Sequence, residues 1–172
     1  TEEKRFVPVS VNLSWMDFYD ENMLEWIVRG LKKNNQNEQK IRFEITETSL
    51  AAIGENHTRM LTHLKENGAE ILLDDFGSGY SSFGMLQDYD FDILKMDISF
   101  VRNIGVNKKS ESILRAIIDM AHQLEIRLVA EGAETEEQVA FLRENGCDYI
   151  QGYYYYKPMP EKEFLQLLDK GK

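Results

Sequence analysis

The sequence predicts an α/β chain built as a partial (β/α) barrel of about six strand-helix units, and three observations carry that prediction. Short apolar runs recur along the 172 residues, each run ends in polar residues, and most are followed by apolar residues at helical spacing. The polar ends carry acids and one lysine: Glu44 and Glu47 in FEITE, Asp74 and Asp75 in ILLDDFGSGYSS, Lys95 and Asp97 in ILKMD, and Glu131 and Glu134 in LVAEGAE. A parallel barrel delivers side chains from many strand ends to one mouth, and carboxylates gathered there point to a metal site.

The elements follow in order. Phe6 to Ser14 alternates, with Val7, Val9, Val11 and Leu13 apolar, and reads as a strand. Leu24, Ile27, Val28 and Leu31 mark a helix over about Asp20 to Lys33, and the polar Asn34 to Lys40 reads as a loop. Ile41 to Ile45 is a second strand. Met60, Leu61 and Leu64 mark the next helix, closed by Gly68, and Ile71 to Leu73 begin a third strand. After the turn Gly77 to Gly79, Ser81 or Ser82 caps a short helix through Leu86, and Asp92 to Met96 form the fourth strand. Ile113, Leu114, Ile117, Ile118, Ala121 and Leu124 give the strongest helical stripe, followed by a fifth strand at Ile126 to Ala130. Thr135 and Gln138 form a capping box for a helix that Gly146 ends, and Tyr149 to Tyr153 form the sixth strand. Pro160 opens a last helix with Phe164, Leu165, Leu167 and Leu168 expected to face inward.

The length fits one domain with a real core. A formal charge of −10 and a pI near 4.8 argue against DNA or RNA as partners, because counterion-release binding needs a basic face. Cys147 is the one cysteine, so no intrachain disulfide forms, and a reducing, cytoplasmic setting is the simplest reading. No apolar run approaches the roughly 18 residues of a membrane span, and Thr1 to Arg5 carries no signal-peptide core, so no membrane contact is expected of this segment.

Within the clusters, adjacent strand residues point to opposite faces. Asp74 and Asp75 therefore share a site only if the strand ends and turns there, which Gly77 and Gly79 permit. Alternation places Lys95 and Asp97 on one face, both aimed into the mouth. The glycine loop lacks the Lys-Ser/Thr of a phosphate-binding loop. His57, His63 and His122 fall in helical stretches away from these clusters and read as helix-surface residues. Tyr153 to Tyr156 stay unassigned between base stacking and a half-buried rim.

The strings VSVNLS (Val9 to Ser14), EITE (Glu44 to Glu47), LDDFGSGYSS (Leu73 to Ser82), ILKMD (Ile93 to Asp97), VAEGAE (Val129 to Glu134) and QGY (Gln151 to Tyr153) together resemble the EAL-domain cyclic di-GMP phosphodiesterases. Their order and spacing match over essentially the whole chain. The resemblance implies a TIM-barrel-like EAL fold and metal-dependent hydrolysis of cyclic di-GMP to linear pGpG. It makes Asn12, Glu44, Asp74, Asp75 and Glu131 counterparts of ligands to two divalent cations. All five are oxygen donors, which suits Mg²⁺ or Mn²⁺ better than zinc. Two like charges about 4 Å apart repel by about 4 kcal/mol at an effective dielectric of 20, so gathered carboxylates need cations.

By the same resemblance Lys95 positions or deprotonates the attacking water, and Glu47 anchors the mobile glycine loop that is coupled to dimerisation. Glu47 also reads as a plain helix-start acid. Asp97, Glu134 and Gln151 resemble residues that orient substrate or ligands, with capping or loop hydrogen bonding as the alternative for Glu134 and Gln151. Ile98 stands where the family commonly has arginine, and Ser78 where it has threonine. The Glu-Ala-Leu motif itself is absent, and a closed barrel usually takes about 250 residues. The expectation is that residues 1 to 172 are the C-terminal portion of such a domain, weakly active or inactive alone. A homodimer and an upstream sensor or GGDEF domain in the parent protein are the implied partners. A non-catalytic module that binds cyclic di-GMP or a protein is the alternative function.

Overall fold

Six strands, β1 (Val9–Asn12), β2 (Ile41–Thr46), β3 (Glu70–Phe76), β4 (Ile93–Met96), β5 (Arg127–Glu131) and β6 (Tyr149–Gln151), pair side by side in chain order, all parallel. The computed structural model describes residues 8–14, 16–17, 20–34, 41–51, 57–79 and 82–170. Helices α1 (Glu21–Asn34), α2 (Glu47–Ala51), α3 (His57–Glu66), α4 (Ser82–Asp88), α5 (Ile98–Arg102), α6 (Lys108–Gln123), α7 (Glu136–Glu144) and α8 (Glu161–Lys170) follow the strands. Parallel neighbours joined in chain order through helices are successive βαβ units, the repeat of a barrel.

The strands alternate, and the two faces of the sheet have different chemistry. Phe43 and Ile45, Ile71 and Leu73, Leu94 and Met96, and Leu128 and Ala130 belong to one large core with Leu64, Leu114, Ile118 and Leu142 from the helices. The opposite residues of the same strands form three layers. Nearest the strand starts, Glu70 bonds Arg42 at 2.8 Å and Arg127 at 2.9 Å, and the Arg42 guanidinium lies 5.7 Å from the Tyr149 ring centroid. Leu72, Ile93 and Val129 form a small apolar middle layer. Above it, toward the strand ends, lie Glu44, Asp74, Lys95 and Glu131. The Arg42 to Tyr149 contact joins β2 to β6 across three intervening strands, so the sheet is curled into an arc and the layered face is concave.

Helix ends follow local chemistry. Asp20 accepts from the Asn22 and Met23 amides at the start of α1. Thr135 and Gln138 make the expected capping box, and Gly68 and Gly146 take positive φ after α3 and α7.

Several expectations change. Asn34 belongs to α1, residues 35–40 of the expected loop lie outside the described residues, and so do Phe6, Val7 and Ser81. The strands at Ile126 to Ala130 and Tyr149 to Tyr153 are observed at Arg127–Glu131 and Tyr149–Gln151. Ile113 is 52% exposed, so the buried stripe of α6 narrows to Leu114, Ile117, Ile118 and Ala121. Phe164 and Leu165 do not face inward: they are 39% and 52% exposed. Two five-residue helices, α2 and α5, are additional. No helix among the described residues is long and apolar enough to cross a membrane.

Candidate active site

Lys95, from β4, stands at the centre of the upper layer and is buried. Its Nζ lies 3.2 Å from Glu44 Oε2, 3.2 Å from Asp74 Oδ1 and 3.3 Å from Glu131 Oε1, so one ammonium gathers carboxylates from β2, β3 and β5. Burial works against its charge, but Asp74, Glu44 and Glu131 outweigh it and hold the lysine above its ordinary pKa. The mutual repulsion expected of these acids is thus offset from within the chain. Asn12 is in register with Glu44 at the end of β1, which places it next along the row.

Asp75 reaches its position by a different device from the expected strand end. Pairing with β4 shifts between Leu73 and Phe76, and Asp75 itself takes φ 58°. That irregularity re-aims the second aspartate while the strand continues to Phe76. Burial, then the charges of Asp74 and Asp97, raise the Asp75 pKa above the usual carboxylate value.

Glu47, at the first position of α2, is buried and accepts from the Gly77 amide at 3.2 Å and the Gly79 amide at 3.0 Å. A Cβ on Gly79 would come within 2.8 Å of Glu47 Oε2, so glycine is what lets the loop close on the carboxylate. Asp97 departs from the strand expectation: β4 ends at Met96, and Asp97 caps α5 by accepting from Ser99 N at 2.9 Å. It still lines a cleft beside the lysine cluster together with Asp75, Glu131, Glu134 and Gln151. Glu134 and Gln151 are exposed there, and the Glu134 amide donates to Gln138 Oε1 at 2.8 Å. His63 and His122 are exposed on helices; His122 approaches Asp148 at 3.5 Å. Of His57, α3 supplies only the backbone position.

Every donor in the row is an oxygen, which is the chemistry of Mg²⁺ and Mn²⁺. Among the described residues no group of three or more His, Cys, Asp or Glu side chains is arranged to hold a metal ion. The carboxylates are instead drawn around Lys95. Sequence reading placed Lys95 at the mouth with these acids but did not foresee its ion pairing with three of them. An acid-lysine-acid series at successive parallel strand ends was the available signal for that pairing.

A parallel arc of βα units with its polar cluster at the carboxyl ends of the strands defines a barrel-type domain whose site lies where such barrels carry theirs. The chain belongs to the EAL domain family, whose model matches residues 1–158. It is 42% identical over 129 residues to "Cyclic di-GMP phosphodiesterase NbdA" of Pseudomonas aeruginosa, an alignment covering 73% of this chain and 16% of that protein. The crystal structure of the EAL domain of Mycobacterium smegmatis DcpA superposes with a TM-score of 0.86 at 32% identity, over 96% of this chain and 74% of that one. A manganese/cyclic di-GMP complex of Klebsiella pneumoniae BlrP1 superposes with a TM-score of 0.75 at 26% identity, over 84% of this chain and 37% of that one. The chain spans a fifth or less of the length of the first curated relatives it matches, 20% and 16%.

Proposed function

We propose that these 172 residues act as the C-terminal portion of an EAL domain that hydrolyses cyclic di-GMP to linear pGpG. The observation that carries the reading is Lys95 holding Glu44, Asp74 and Glu131 within 3.2 to 3.3 Å of its Nζ at the carboxyl ends of three strands. Asn12, Glu44, Asp74, Asp75 and Glu131 would hold two divalent cations, Mg²⁺ or Mn²⁺, and the manganese in the BlrP1 complex supports that choice. When bound, such ions would supply Lewis-acid chemistry, which polarises a phosphoryl oxygen and acidifies water.

The chain's own groups do the rest. Lys95 donates to Glu44 and Asp74, fixing the spacing of the acids and the place of the attacking water. Glu47 holds the Gly77 to Gly79 loop over the Asp74 and Asp75 bend. Asp97, Glu134 and Gln151 orient substrate from the adjoining cleft.

The surroundings belong to the same reading. A second copy is the proposed protein partner, as the resemblance to the family implies. A sensor or GGDEF domain is the proposed neighbour in the parent protein, since the curated relatives extend far beyond the matched region. One thiol and no disulfide fit a cytoplasmic setting.

One observation favours a second reading, a module that binds cyclic di-GMP without cutting it: among the described residues the acids surround Lys95 rather than standing in metal-holding geometry. Chromatography of cyclic di-GMP incubated with Mg²⁺ or Mn²⁺ and this chain within a complete EAL domain separates the two. Appearance of pGpG, lost at least about 100-fold with Lys95→Ala, supports hydrolysis. Binding without pGpG selects the second reading, and neither binding nor product overturns both.

A further inference from the structure

Asp74 is the acid that Lys95 engages most fully. The ammonium lies 3.2 Å from Asp74 Oδ1 and 3.4 Å from Oδ2, and Oδ1 also accepts from the Asp75 amide at 2.9 Å. Both oxygens of this carboxylate therefore already face a donor. Glu44 Oε2 and Glu131 Oε1 complete the set at 3.2 and 3.3 Å. Oxygen ligands of Mg²⁺ stand at about 2.0 to 2.1 Å from the ion. Oxygens set 3.2 to 3.3 Å around a nitrogen are arranged for the ammonium, and among the described residues no group of acids is placed to hold a metal alongside it.

The balance of charge here differs from that at the other end of the sheet. Near the strand starts two guanidiniums, Arg42 and Arg127, face the one carboxylate of Glu70. At the strand ends one ammonium faces three carboxylates, with Asp75 next to Asp74 and outside these ion pairs. Lys95 is 8% exposed, so water does little to make up the missing positive charge. A lysine is a compact charge on a flexible four-carbon stem, which can give way when a stronger cation arrives.

We propose that Lys95 is a built-in counter-cation that competes with divalent ions for Glu44, Asp74 and Glu131, so that the lysine itself sets the cation affinity of the site. This rests on the function proposed above for its choice of ions, and not on hydrolysis. Cation loading and turnover then depend on Lys95 in opposite directions. Removing its charge strengthens metal binding while the attacking water loses its place. A lysine that only shaped the acids for a metal would have the reverse effect, and its removal would weaken metal binding.

Calorimetric titration of the full chain with MnCl₂, without nucleotide, compares the wild type with Lys95→Met and Lys95→Arg. Lys95→Met keeps the stem without the charge and should bind Mn²⁺ about 10-fold or more tightly than the wild type, because a positive charge close to the ion is gone. Lys95→Arg keeps the charge and should bind no more tightly than the wild type. Lys95→Met leaves three partly buried carboxylates without their partner and risks unfolding, so a second measurement uses the wild type. The ¹⁵N–¹H signal of the Lys95 ammonium, identified by its loss in Lys95→Arg, should shift or vanish on saturation with diamagnetic Mg²⁺. Equal or weaker Mn²⁺ binding by Lys95→Met, or an ammonium signal that Mg²⁺ leaves in place, overturns the competition. Binding by Lys95→Met and not by the wild type supports it in its strongest form. Binding by neither overturns it together with the two-cation reading. A complete domain that yields no pGpG while the Mn²⁺ order holds removes hydrolysis and leaves the competition standing.

Discussion

At Glu47 a single buried carboxylate satisfies two backbone amides of the glycine loop, at 3.2 and 3.0 Å from Gly77 and Gly79. Hydrogen bonds to a charged group contribute about 1.5 to 3 kcal/mol each, so losing the two in Glu47→Ala should destabilise the chain by about 3 to 6 kcal/mol. For a chain of this size that is a fall of about 6 to 24 °C in thermal midpoint, and under the proposed function the turnover of a complete domain falls about 10-fold or more as the loop leaves the Asp74 and Asp75 bend. A midpoint within a degree of wild type would contradict it. Cys147 is a second residue-scale case, where burial pushes the thiol up to about 11. Against an ordinary thiol value of 9.0, that leaves about 100-fold less thiolate at pH 8. Iodoacetamide should label the folded chain about 100-fold more slowly than the denatured one, and equal rates would exclude the burial. Glu44, Asp74 and Glu131 were legible in the sequence because each ends an apolar strand. The pairing of Lys95 with all three was not, since it joins residues 51, 21 and 36 positions apart through the curl of the sheet. Asp97 was misread because a five-residue helix is too short to show a period, so the strand pattern was carried one residue too far.

The strands carry their own stabilising device at the opposite end from the site. Glu70 on β3 bonds Arg42 on β2 and Arg127 on β5, while Arg42 approaches Tyr149 on β6, so one buried acid ties strands that are not neighbours. Removing it leaves two guanidiniums facing each other within the concave face. Glu70→Ala should therefore cost about 3 to 5 kcal/mol in urea unfolding. Arg127→Ala should cost about 1 kcal/mol or less, because its side chain is 35% exposed and solvent already screens it. Reversal of that order would show that the acid is not the hub. Six strands and the longer helices between them were readable as elements because their periods are clear. The docking faces of α6 and α8 were not, because a hydrophobic stripe gives the helix but not the width of the surface it meets, as Ile113 and Leu165 show. The layered concave face was half legible: Arg42, Glu70 and Arg127 lie among apolar residues at alternate positions, a sign of buried polar pairing that sequence alone does not join.

For the whole molecule, charge decides what a divalent ion does. The chain carries a net −10, so any salt screens its self-repulsion to some degree, and a specific site must be separated from that general effect. Lys95 already offsets part of the charge of Glu44, Asp74 and Glu131, which leaves Asp75, raised in pKa by burial and by Asp74, as the acid of the row outside the lysine's ion pairs. An ion that binds only the folded chain stabilises it by about 2.7 kcal/mol at 100 times its dissociation constant. For a chain of this size that is a rise of about 5 to 10 °C in thermal midpoint. Mn²⁺ or Mg²⁺ should produce that rise in the wild type, whereas NaCl at equal ionic strength should give about 2 °C or less, since screening lacks the coordinate bonds. Asp75→Asn and Glu44→Gln each remove a charged oxygen donor and should abolish most of the cation-specific part while leaving the NaCl response in place. Scanning calorimetry on the three chains reads both responses. If NaCl reproduces the whole effect of Mn²⁺, or if both variants keep the full cation-specific rise, the acids serve only as partners of Lys95 and the two-cation reading of the site fails.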